Sequence, residues 1–137
     1  MDRDLTSNPG DPRVVLASLP DRRLRADSLV LCDLFEEITG YPPQMWGPSI
    51  IGFTSEVPDD DISQMRLELG FSPRQNRLVL LLSRHMDHYV DFTARLGDVT
   101  VGQTCITIES LALIEMAVLR ELIEYAWSKG PERADLG

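Results

Sequence analysis

Asp33, Glu36 and Glu37 bring three carboxylates onto a single helical turn of this chain. Asp33 and Glu37 are four residues apart, so on a helix they share a face and repel each other, with Glu36 beside them. A cation would relieve that repulsion. Carboxylate oxygens suit hard or borderline cations, so iron or manganese held loosely at the surface is the chemistry such a cluster offers. Asp59, Asp60 and Asp61 could add ligands from a loop. The alternative is a solvated acidic face and loop, neutralised by Arg23 or Arg66.

A second constellation is the stretch MWGPSIIGF, Met45 to Phe53. Trp46 offers a flat apolar surface with one donor at its edge, Gly47 lets the backbone turn, and Ser49 supplies a hydroxyl, so Trp46, Gly47 and Ser49 could line a ligand pocket. Arg74, in a turn further along, could clamp a carboxylate or phosphate there. The competing readings are a hydrophobic plug joining helix to sheet for Trp46, and a salt bridge to one of the many acids for Arg74.

Other chemistry-bearing residues carry less. His85 and His88 flank Asp87 at a spacing that suits a metal only if all three share one helical turn, and His85 falls at the end of a strand pattern. Cys105 lies inside an apolar strand pattern and reads as core. No serine occupies a GxSxG elbow, no glycine-rich phosphate loop follows a strand, and no Cys/His/Asp set shows nucleophile spacing. A non-enzymatic protein without a resident cofactor is expected, weakly bound iron being the one exception the acidic residues leave open.

Composition narrows the partners. The 137 residues suit one domain, with 43% hydrophobic and 26% charged residues. With 13 basic against 22 acidic residues the net charge is −9, so the surface repels phosphate backbones and anionic lipids and neither nucleic acid nor membrane is an expected partner. The longest apolar run, Leu78 to Leu82, is strand length. The opening MDRDLTSNPGDP lacks the apolar stretch of a signal peptide, so a cytoplasmic location is expected. Cys32 and Cys105 form no CxxC pair and are expected reduced.

The elements that must position these residues follow from periodicity. Residues 1–13 read as a flexible tail, 14–130 as one domain and 131–137 as a second tail. The spacing of Leu24, Leu31, Phe35 and Ile38 predicts a helix from Arg22 to Thr39, stopped by Gly40. Strands are predicted at Ile50 to Phe53, Gln64 to Phe71, Leu78 to Leu82 (buried on both faces) and Gln103 to Ile108, with Ser72 to Asn76 as a turn. A short helix fits Asp87 to Leu96, and an amphipathic one Glu115 to Lys129. Loops too short for parallel crossovers imply an α+β fold, an antiparallel sheet of about four to five strands with the N- and C-terminal helices on one face. The uncovered face would invite a homodimer.

The stretches TGYPPQMWGPSIIGF (Thr39 to Phe53), GFSPRQN (Gly70 to Asn76), Leu78 to Leu82, Leu96-Gly97 and VGQTCITIESL (Val101 to Leu111) together resemble the YdhG-like family, domain of unknown function family 1801. The resemblance implies an antiparallel sheet with packed helices. Some bacterial members are described as frataxin-like iron chaperones, which implies iron held by surface carboxylates such as Asp33, Glu36 and Glu37 as the alternative to a binding or interaction module. The chain departs from the family where Gln75, Asp98 and Gln103 stand at positions often lysine, and where Leu81 replaces a common tyrosine. If the family holds an anion through those lysines, this member would hold it poorly or bind something else.

Overall fold

Asp21 begins the longest element: its carboxylate accepts from the Leu24 backbone N–H at 2.8 Å, and Gly40 ends it in the left-handed region at φ 76°, so helix α2 spans Arg22–Thr39 as its apolar spacing predicts. The computed structural model describes residues 7–54, 67–82 and 85–129. Around α2 these residues form an α+β fold, with strands β1 (Ser7–Asn8), β2 (Gln44–Trp46), β3 (Ile50–Phe53), β4 (Leu69–Arg74), β5 (Arg77–Leu81), β6 (Val99–Val101) and β7 (Cys105–Ile108). Three further helices are α1 (Pro12–Ala17), α3 (Val90–Leu96) after a 3-10 turn at Met86–Tyr89, and α4 (Met116–Lys129).

All pairings are antiparallel, in the order β1-β2-β3-β4-β5-β7-β6. The seven strands exceed the four or five expected because β1, β2 and β6 are only two or three residues long. Ser7–Asn8 belong to the sheet, and Pro12 and Arg13 open α1, within the range 1–13 expected as a tail. Of the strand expected at Gln64 to Phe71, residues 64–66 lie outside the described residues, and β4 instead runs on through Pro73 to Arg74.

Strand alternation divides the sheet. Met45, Ile51, Phe53, Leu69, Phe71, Leu78, Leu80, Ile106 and Ile108 face the helices and share one core with Leu31, Phe35, Leu119, Leu122 and Ile123. Phe35 stacks on both Phe53 (5.2 Å between centroids) and Phe71 (5.7 Å), which ties α2 to the middle of the sheet. The second face carries the alternate residues. There Gly52 stands opposite Gly70, Ser72 opposite Val79, and Leu81 opposite Cys105. Val79 and Leu81 are half-buried, so β5 is fully buried on its helix side alone, not on both faces.

Candidate functional site

Two tight turns converge on one edge of the second face. Trp46 pairs with Ile50, so Gly47-Pro48-Ser49 is the connection between β2 and β3, with Gly47 at φ 62°. Arg74 pairs with Arg77 across Gln75 (φ 51°) and Asn76 (φ 65°), the two positive angles of a type I′ hairpin. Residues 72 and 74 share a strand face, as do 77 and 79, so Ser72, Arg74 and Arg77 all project away from the helices.

Ser72, 0% exposed, is the hub. Its hydroxyl donates to the Ser49 carbonyl oxygen at 2.8 Å and accepts from Arg74 Nε at 3.0 Å. A hydroxyl has one proton to give, so the Ser49 hydroxyl is the donor in the 3.1 Å contact between the two serines. Ser72 is thereby saturated. With Nε held, the free edge of the Arg74 guanidinium is the Nη1/Nη2 fork, the geometry that grips a carboxylate or phosphate with two hydrogen bonds.

Electrostatics favour the same use. Among the described residues Arg13, Arg77, Arg95 and Arg120 each lie within 4 Å of a carboxylate, whereas Arg74, like Arg22, Arg23 and Arg25, does not, and Arg74 instead meets a hydroxyl. The salt bridge considered for Arg74 is thus not formed there. Directly opposite, Arg77 is only loosely tethered, 3.7 Å from Glu109. Like charges in a cross-strand pair repel, and an anion between them would remove that cost.

Trp46 does not line this site. Its side chain is 1% exposed, packs against Gly52 on the second face, and leaves Nε1 without a hydrogen-bond partner among the described residues. Met45 enters the helix-side core and its neighbour Trp46 does not, so the indole is a plug on the far side of the sheet, not one joining helix to sheet. The pocket-wall reading of Trp46 is corrected by its burial. Gly47 and Ser49 act through the turn.

The acidic cluster is also corrected. Arg13 Nη2 on α1 donates to Asp33 at 2.6 Å and to Glu36 at 2.9 Å, while Arg120 on α4 reaches Glu37 at 3.1 Å. The hydrogen bond to Asp33 holds the Arg13 guanidinium above its ordinary pKa. The repulsion that would recruit iron is already relieved by these arginines, not by Arg23 or Arg66. No group of three or more potential metal ligands forms among the described residues. Asp59, Asp60 and Asp61 lie outside those residues.

His85 Nδ1 accepts from the Asp87 backbone N–H at 3.2 Å and so caps the 3-10 turn, while His88 lines a concavity of about 430 Å³ between that turn, α3 and α4. Cys105 is half-buried in β7. Cys32 is buried on α2, and burial pushes its thiol up to about 11. Gln75 precedes β5, whereas Gln103, whose carbonyl accepts from Met86 N–H, lies beyond its far end, so these two glutamines do not share a site.

Ser72 and Arg77 were missed in the sequence. Both were readable in principle, since period-two alternation puts Ser72 on the face of Arg74 and a two-residue hairpin puts Arg77 opposite. Phe92 and Tyr125, which meet at 5.2 Å in the concavity, carried no spacing signal because they come from different helices. Comparison with family models, with curated proteins and with solved structures gave no match.

Proposed function

We propose that the chain is a YdhG-like, non-enzymatic, cytoplasmic binding module that captures the carboxylate or phosphate of a small molecule at Arg74. One observation carries this reading: in a chain of net charge −9, Arg74 is oriented by Ser72 and pairs with no carboxylate among the described residues, with a second arginine opposite. Ser49 and Ser72 set the guanidinium plane, Arg74 supplies the fork, and Arg77 adds charge. The surrounding negative potential selects against polyanions, so the anion is small. No helix among the described residues is long and apolar enough to cross a membrane, which agrees with this reading.

The alternative, a frataxin-like iron chaperone, requires Asp33, Glu36 and Glu37 to leave Arg13 and Arg120. NMR titration with inorganic phosphate and with succinate tests the proposal. Saturable shifts at Ser49, Ser72, Arg74 and Arg77 that vanish in Arg74→Ala are expected, and shifts unchanged by that substitution would refute it.

A further inference from the structure

We infer that the concavity between the 3-10 turn, α3 and α4 is a second site, independent of the first, that takes a small organic cation. Its volume of about 430 Å³ is in the range of small-molecule sites. Two kinds of cation-attracting group face it from different elements. Asp87 and Asp91 supply carboxylates from the 3-10 turn and the start of α3, and the rings of Phe92 and Tyr125 meet at 5.2 Å to form an aromatic wall. Carboxylates beside π faces are the chemistry that recognises ammonium and guanidinium groups.

The chain itself supplies a stand-in. The Arg95 guanidinium lies 5.5 Å from the Phe92 ring centroid, so this wall already accommodates an organic cation. Arg95 is weakly held there: it is half exposed and 3.6 Å from Glu121, beyond an ordinary charge-assisted hydrogen bond. An incoming cation can therefore displace it toward Glu121. Arg95 then acts as a competitor, and its removal should tighten binding.

The test uses choline, its neutral isostere 3,3-dimethyl-1-butanol, and the capped tripeptide acetyl-Gly-Arg-Gly-amide, followed by ¹H–¹⁵N NMR. Choline is expected to shift Asp91, Phe92 and Tyr125 saturably, with the alcohol at least tenfold weaker. Phe92→Leu, its fold verified by the same spectra, should weaken choline about threefold, as loss of an exposed cation–π contact implies. Arg95→Gln should strengthen it severalfold. Tighter binding of choline than of the tripeptide would support a free metabolite as the ligand, and the reverse order a protein side chain. Equal binding of choline and the alcohol, or a folded Phe92→Leu variant with unchanged choline affinity, would overturn the inference.

Discussion

Replacing Ser72 with alanine separates the scaffold of the anion site from its binding group. The hydroxyl makes three hydrogen bonds: one donated to the Ser49 carbonyl, one accepted from the Ser49 hydroxyl and one accepted from Arg74 Nε. Each neutral bond is worth about 1 kcal/mol net, and an unpaired buried group costs more. Arg74 is exposed and regains water, so its bond contributes little to the loss. The two bonds to Ser49 remain, giving a destabilisation of about 2 kcal/mol for Ser72→Ala, or roughly 6–10 °C in Tm for a domain of this size. Arg74→Ala should change stability by less than about 0.5 kcal/mol, as exposed substitutions usually do. Urea unfolding of the two variants beside the wild type measures both. A Ser72→Ala variant within about 0.5 kcal/mol of wild type, or an Arg74→Ala variant equally destabilised, would refute the assignment of Ser72 as the hub.

Other outcomes follow from the same contacts. A Cβ at Gly52 would lie 2.6 Å from Trp46 Cδ1 and Nε1 and collide with Leu67, so Gly52→Ala should cost about 2–3 kcal/mol in urea unfolding. Gly40→Ala meets no atom within 4 Å and should cost only the strain of its left-handed backbone, about 1 kcal/mol. The Cys32 thiol, raised from 9.0 to about 11, keeps its proton in the folded state while the unfolded thiol ionises, so stability should fall as pH rises from 9 to 11. In native protein iodoacetamide should label Cys105 before Cys32, seen by peptide mass mapping. Anaerobic Fe(II) titration should show retention no stronger than by an unrelated acidic protein, because Arg13 and Arg120 occupy the carboxylates; tighter retention would contradict that account.

Legibility in the sequence tracked the length of each element. Helix α2 was readable because an apolar stripe and a terminal glycine agree, and the structure adds the Asp21 cap that starts it. Strands β2 and β6, three residues each, are too short to show alternation, and α1 is six residues long, its start hidden among Pro and Gly. Pro73 made Ser72 to Asn76 look like a turn. It is accommodated in β4 because the hairpin's closing pair is Arg74 and Arg77, which puts Pro73 at the non-hydrogen-bonded position facing away from β5. Toward β3 it meets no ladder, since that pairing ends at Ile51 and Phe71. At the site, the types of Ser49 and Arg74 were visible while their junction was not. That junction depends on register across three strands, and Ser72 supplies it. The opposite holds for Asp33, Glu36 and Glu37, whose spacing was visible but whose neutralising arginines lie on α1 and α4, 20 and more residues away.

The most direct test of the central claim is a calorimetric titration of succinate into wild-type protein and the Arg74→Ala variant at low ionic strength. The oriented Arg74 fork predicts saturable binding in the wild type and a loss of at least tenfold in the variant, with its unfolding curve unchanged. Equal affinity in the two proteins, or no saturable binding in either, would contradict it.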